Sequence, residues 1–251
     1  VRIALITDVH ANREALETVL GDIARVGVDR IVCLGDVVGY GADPVAAVEL
    51  VARIVEDGGL CIKGNHDEAA LIGPRGMSEG ARIATEWTQR HIGDAERAFL
   101  GALPLAVQDG DMLFVHASAA RPERWTYIVS ADEAAESLAA SDARLTFCGH
   151  THQPALFSML HGIAGTTGKT TTFRPMADKP VPLSPIRRHL AVIGSVGQPR
   201  DGDPRACWAL LDTDTRELTY RRIPYDVEEA GRKIREAGLP EQLWVRLLVG
   251  R

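Results

Sequence analysis

The sequence is poor in the features that would mark a stapled, membrane-bound or nucleic-acid-wrapping protein. Four cysteines in 251 residues, none of them in a CxxC pair, exclude a disulfide scaffold. Three of them, Cys33, Cys61 and Cys148, lie in apolar strand-like runs, and all four read as small buried thiols. No apolar run approaches the roughly 20 residues of a membrane span. The opening VRIALITD has no basic n-region, no long apolar stretch and no cleavage site, which predicts a cytoplasmic chain without membrane association. Basic residues are the minority, 28 Lys+Arg against 34 Asp+Glu. The formal net charge of -6 excludes a generic basic nucleic-acid binder, so no dedicated nucleic-acid surface is expected. Trp87, Trp125, Trp208 and Trp244 are widely spaced and read as packing. Internal repeats, low-complexity tracts and linkers are absent, so residues 1–251 are expected to form one domain, with a helical segment from about 226 to the end.

What is present is ordinary globular usage, 45 % hydrophobic and 25 % charged. A chain of this length buries about 70–75 % of its unfolded surface and needs no staples. Short β-rich runs alternate with helical patterns. Strands are predicted over 1–6, 30–34, 60–63 and 145–148, and a hairpin over 105–116 around Gly110. Apolar residues at spacings of three and four predict a helix over 12–26, and Asp43-Pro44 marks the start of another that ends near Glu56. Further helices are expected over 78–90, 94–102, 131–140 and 227–249, the last broken at Gly238-Leu239-Pro240. Beyond His152 the helical signal fades, and strand-like runs stand at 190–193 and 207–211. The fold class is α/β, a sandwich with helices outside.

Each early strand ends in a polar cluster. The first is followed by Asp8-Val9-His10, the second by Gly35-Asp36, the third by Gly64-Asn65-His66-Asp67. Later strands lead into Val115-His116 and Gly149-His150-Thr151-His152. The carboxyl ends of parallel strands share one rim, so these donors would meet in one crevice. Asp8, His10, Asp36, Asn65, His116, His150 and His152 offer carboxylate, amide and imidazole ligands, which suit a divalent metal of borderline hardness. Seven donors exceed what one tetrahedral ion needs and match two ions sharing a carboxylate, with Asp36 as the natural bridge. Two ions roughly 3.5–4 Å apart activate a bridging water for in-line attack at phosphorus. Manganese, iron, zinc, nickel or cobalt would serve.

In this order, the motifs DxH, GD, GNHD, H and GHTH resemble the signature of the calcineurin-like metallophosphoesterase superfamily. GDVVGYGADP at 35–44 and GSVGQPRDGDPRA at 194–206 are similar to its small bacterial and archaeal phosphodiesterase branch. The resemblance implies a four-layer αββα sandwich with mixed sheets and outer helices. It implies that Asp8, His10 and His152 bind one metal, that Asn65, His116 and His150 bind a second, and that Asp36 bridges them. His66 would be catalytic, as general acid toward the leaving oxygen or by stabilising transition-state charge. Arg200 is a candidate phosphate ligand, being a planar fork. The expected partner is a small phosphorylated substrate; oligomeric state is left open. One departure stands out. Where the family's Ser/Thr phosphatases carry an Asp that orients the catalytic His, this chain has Gly39, so the partner of His66 is not identified.

Several features read as bland. The stretch GIAGTTGKT at 162–170 looks like a phosphate loop, but the β-branched, proline-closed run after it supplies no helix, so a turn is expected. His91, His161 and His189 read as surface or helix-end residues, and the pairs Arg187-Arg188 and Arg221-Arg222 as solvated faces. Asp67 is expected to hold its loop by accepting backbone hydrogen bonds, and Tyr40, Arg124, Trp125 and Tyr127 are candidates for the pocket border. The leading function is a phosphodiesterase. Alternatives are a phosphomonoesterase, a dinucleotide polyphosphate hydrolase, or a protein-interaction scaffold on the same fold.

Overall fold

The first strand, β1 (Arg2–Ile6), sets the layering of the molecule, because its side chains alternate between two cores. Ile3 and Leu5 face one apolar cluster, Ala4 and Ile6 another. The structure, a computed structural model, describes residues 1–160 and 169–251. In chain order, β1 is followed by α1 (Arg13–Val26), β2 (Arg30–Cys33), α2 (Pro44–Glu56), β3 (Leu60–Cys61), α3 (Asn65–Ile72), α4 (Glu79–His91) and α5 (Asp94–Ala102). Then come β4 (Ala106–Asp109), β5 (Met112–Val115), α6 (Ala131–Ala139), β6 (Leu145–Cys148), β7 (Ala155–Leu160), β8 (Thr171–Phe173) and β9 (Pro180–Pro182). The chain closes with β10 (Arg187–Val192), β11 (Ala206–Asp212), β12 (Glu217–Ile223), α7 (Val227–Glu236) and α8 (Glu241–Val249).

Two mixed six-stranded sheets result, ordered β3-β2-β1-β11-β12-β9 and β4-β5-β6-β10-β7-β8. In the first, β1, β2 and β3 are parallel; in the second, β5, β6 and β10 are parallel. The sheets face each other across Leu5, Val32, Leu34, Phe114, Phe147 and Ala191. Strand β11 repeats the alternation, with Cys207, Ala209 and Leu211 between the sheets and Ala206 and Trp208 turned toward the outer helices. Helices α1 and α2 cover the outside of the first sheet through Leu16, Val19, Val48 and Val51, and α6 covers the second through Ala134 and Leu138. The expected αββα sandwich is therefore present. Among the described residues no helix is long and apolar enough to cross a membrane.

Some local expectations need correction. Strand β3 is two residues long, because Lys63 N–H leaves the ladder and donates to Pro104 O at 2.8 Å. The Gly64–Asp67 cluster is not a loop but opens helix α3, which sequence composition concealed. Asp43 stands before α2 without capping it through its side chain; its carboxylate instead takes Lys233 Nζ at 2.9 Å. His189 is buried in β10, hydrogen-bonded to Ser158 Oγ at 2.8 Å and to Ser184 O at 3.2 Å. Arg188 and Arg222 are buried too, not solvated: Arg188 donates to Ala143 O at 2.9 Å, and Arg222 pairs with Asp201. Arg221 joins Trp208 Nε1 in satisfying buried Asp22, at 2.9 and 3.1 Å. All four cysteines are free and buried, as expected. His161 and residues 162–168 of the phosphate-loop look-alike lie outside the described residues.

Candidate active site

Parallel strands of both sheets deliver the polar clusters to a shared rim. Asp8 and His10 follow β1, Asp36 follows β2, and Asn65 and His66 open α3 after β3. From the other sheet, His116 follows β5, and His150 and His152 follow β6. Backbone bonds stitch the loops together: Asp8 N–H to Gly35 O at 3.0 Å, His10 N–H to Asp36 O at 2.9 Å, and Gly149 N–H to His116 O at 2.9 Å. The His150 N–H crosses between sheets to Asp8 Oδ2 at 3.0 Å. Asp8, His10, Asp36, His150 and His152 all adopt left-handed backbone, with φ from 51° to 67°. Such strain costs on the order of 1–3 kcal/mol per residue and persists only where the surroundings over-determine it. Gly64 is required by contact, since a Cβ there would overlap Asp36 Oδ1.

The hydrogen bonds of the imidazoles reveal what the cluster can hold. His10 Nδ1–H donates to Val38 O at 3.1 Å, His116 Nδ1–H to Leu34 O at 2.7 Å, and His152 Nδ1–H to Gln198 O at 2.6 Å. A carbonyl only accepts, so in each neutral ring Nε2 carries a lone pair. Those lone pairs converge. His10 Nε2 and His152 Nε2 stand 3.1 Å apart, and His152 Nε2 is 3.2 Å from Asp8 Oδ1. No hydrogen joins two lone pairs, so acceptors so arranged call for a cation among them. On the other side His116 Nε2 is 3.2 Å from Asp36 Oδ2. His116 Nε2, His150 Nε2 and Asn65 Oδ1 are buried with no hydrogen-bond partner among the described residues. Asp8–His10–His152, His10–Asp36–His66 and Asp36–His116–His150 each bring their ligand atoms within 4.8 Å of one another. Asp36 belongs to two of these groups, and the donor set fits a divalent metal.

Charge agrees with this reading. Burial lowers His66 to about 4 and His150 to about 3. It lowers His10 and His152 as well. Four imidazoles are thus neutral at pH 7, the form that binds metal. His116 behaves oppositely: burial pulls it down, but the Asp36 and Asp8 carboxylates prevail and raise it to about 10. Asp67 is raised to about 7 by burial and by the charge of Asp36, and it accepts Val38 N–H at 3.1 Å and Gly64 N–H at 2.9 Å. It accepts backbone hydrogen bonds as expected, but from within α3, tying the start of that helix to the segment after β2.

A cleft of about 830 Å³ opens beside the cluster, with Asn65, His66 and His150 in its wall. The border candidates Tyr40, Arg124, Trp125 and Tyr127 all line it, as does Arg200. Trp125 is therefore more than packing; its Nε1–H donates to Glu68 Oε2 at 3.2 Å. Tyr127 stacks on His150 with ring centroids 4.0 Å apart. Among the described residues no carboxylate hydrogen-bonds the His66 ring. Its Nδ1 is buried with no partner among them, and a Cβ at Gly39 would lie 2.5 Å from it. The ring is held by packing instead, 4.4 Å from the Tyr40 ring and edge-on to His10 at 4.9 Å. Sequence reasoning overlooked Gln198. Its carbonyl fixes the His152 tautomer, and its Oε1 accepts from Arg200 Nη2 at 2.7 Å. It follows β10, a further parallel strand of the second sheet, which brings it to the same rim.

Comparison with known proteins agrees with the geometry. A family model described as the calcineurin-like phosphoesterase superfamily domain matches residues 1–216. An uncharacterised protein of Methanocaldococcus jannaschii is 35 % identical over 256 residues, covering 99 % of this chain and 98 % of its own length. The crystal structure of a metallophosphoesterase from Sphaerobacter thermophilus is similar at 39 % identity and a TM-score of 0.86, covering 100 % of this chain and 99 % of that one. A hypothetical protein of Pyrococcus horikoshii shares the fold, with a TM-score of 0.79 at 16 % identity over 100 % of this chain and 98 % of its own.

Proposed function

The chain belongs to the calcineurin-like phosphoesterase superfamily and is a phosphoester hydrolase, and from that premise we propose that it is a phosphodiesterase working with two divalent metal ions. Asp8, His10 and His152 hold one ion, Asn65, His116 and His150 the other, and Asp36 bridges. The observation that carries this reading is the pair of imidazole lone pairs, His10 Nε2 and His152 Nε2, facing each other at 3.1 Å beside Asp8. When bound, two such ions lower the pKa of a water between them toward about 7 and offset charge on the phosphoryl oxygens. Leu34, Val38 and Gln198 keep three imidazoles in the ligating tautomer through their carbonyls. His66, neutral at pH 7, serves the leaving oxygen as a hydrogen-bond donor, and Arg200 receives phosphoryl oxygens with its planar fork. The cleft of about 830 Å³ is larger than a phosphoryl group alone would fill, which supports a diester over a monoester.

The test has two parts. Elemental analysis, followed by stripping and re-adding manganese, iron, zinc, nickel and cobalt one at a time, identifies the ions. Hydrolysis of bis(p-nitrophenyl) phosphate is then compared with that of p-nitrophenyl phosphate; a faster diester rate supports the reading and a faster monoester rate replaces it. Asp36→Asn should lose both metal and turnover. His66→Gln should keep the metal and lose about 10²-fold or more in kcat; normal turnover in that variant removes the role given to His66.

A further inference from the structure

Two guanidinium groups stand in the wall of the cleft with no acid paired to them among the described residues. Arg200 follows β10, and Arg246 lies in α8, beyond the residues that the family model covers. Their shared partner is a neutral amide. Gln198 Oε1 accepts from Arg200 Nη2 at 2.7 Å, from Arg200 Nε at 3.3 Å and from Arg246 Nη1 at 3.2 Å. Nearby arginines are treated differently: Arg205 and Arg222 pair with Asp203 and Asp201. Arg246 Nε is buried and has no hydrogen-bond partner among the described residues. Its guanidinium is pulled below the usual arginine range by burial and then by the Arg200 charge.

Neither arginine is a loosely held surface residue. Leu243 and Leu247 fix α8 against Ala84, Ala230 and Ile234, and Gly202 N–H ties the end of the helix down by donating to Gly250 O at 2.8 Å. Gln198 is 1 % exposed, and its N–H donates to Ser195 Oγ at 2.8 Å. Arg200 is anchored through its own N–H to His152 O at 3.2 Å, and its guanidinium lies 5.5 Å over the Tyr40 ring. Two positive forks are therefore pre-organised around one neutral oxygen, at the edge of a partly desolvated cleft, with donors still free.

We propose that Arg200 and Arg246 form a second anion subsite that takes a phosphate group other than the one being hydrolysed, so that the preferred substrate is a phosphoester carrying a further phosphate. This rests on the phosphodiesterase reading and extends it to a substrate class. The match is one of charge and shape. Two fixed guanidinium charges suit a phosphate dianion, whose terminal oxygens can be shared between two planar forks. Arg200 lines the same cleft as His66, so it stands where both phosphates can reach it, and Arg246 adds the second cation.

The probes are thymidine 5'-monophosphate and thymidine 3',5'-bisphosphate, titrated calorimetrically into metal-loaded protein, and the p-nitrophenyl esters of the 5'-phosphate with and without the 3'-phosphate. Charge-assisted hydrogen bonds predict that the bisphosphate binds about tenfold tighter or more, and that its ester shows a correspondingly lower KM. Arg246→Gln should bring the ratio to within about twofold, and Arg246→Lys, which keeps the charge without the fork, should restore part of it. Equal affinity for the two nucleotides in the native chain overturns the proposal, as does a ratio that survives in both variants while circular dichroism shows them folded. If neither ester is turned over, the phosphodiesterase reading fails, yet the calorimetric ratio still decides the subsite.

Discussion

His116 joins the electrostatics of the site to a measurable event. Asp36 and Asp8 raise it to about 10, so at neutral pH the cation-free chain carries a proton on this ring. A metal needs the neutral imidazole, so that proton must leave when the ion binds. Metal loading at pH 7.5 is predicted to release the proton of this ring, together with that of the activated water, and affinity should rise with pH until the ring titrates near 10. Calorimetry in buffers of different ionisation enthalpy reads this directly; a buffer-independent heat contradicts it. Asp67 gives a second expectation at this scale. Its two oxygens accept Gly64 and Val38 N–H groups in a buried setting, so Asp67→Ala should cost about 1–3 kcal/mol in urea unfolding. The donors themselves were legible in the sequence, because Asp, His and Asn recur together where each strand gives way to polar residues. Gln198 and Arg246 were not, since a glutamine in a loop and an arginine on an amphipathic helix look the same whether they serve a site or face water.

Short elements with close backbone contacts carry the site. Gly64 sits between β3 and α3 with Asp36 Oδ1 where a side chain would go. Gly64→Ala is therefore predicted to destabilise by about 1–3 kcal/mol through overpacking and to weaken metal binding, because the Asp36 carboxylate must shift. A Gly64→Ala protein that binds metal normally would show that this contact gives way cheaply. At the start of α1, Asn12 Oδ1 accepts Ala15 N–H at 3.1 Å while Nδ2 donates to Gly197 O at 2.8 Å. It caps the helix and ties it to the loop that carries Gln198, so Asn12→Ala should cost about 1–2 kcal/mol in thermal or urea unfolding. Periodic elements such as α1, α2, β1 and β2 were readable from spacing. Helix α3 was not, since a run of Gly, Asn, His and Asp has loop composition and is helical only because Asp67 and Asp36 satisfy its first backbone N–H groups. Strands β7 and β12 were hidden by mixed polarity, and the edge strands β8 and β9 by being three residues long.

The whole molecule is a pair of sheets whose parallel strands end at one rim, and the metal reading makes that rim a hinge point of stability. Without a cation, the facing lone pairs of His10 and His152 are uncompensated and His116 alone offsets the carboxylates; a bound cation would tie donors of the two sheets together. Metal at about 100 times its Kd should add roughly 2.7 kcal/mol. For a chain of this size that is a rise of roughly 5–10 °C in Tm, reversed by a chelator and absent in Asp36→Asn. The central claim is that seven side chains from two sheets surround a pair of ions, and anomalous diffraction from crystals grown with manganese tests it most directly. The account predicts two peaks roughly 3.5–4 Å apart, one among Asp8, His10 and His152, the other among Asn65, His116 and His150, with Asp36 between them. A single peak, or peaks away from Asp36, would contradict it.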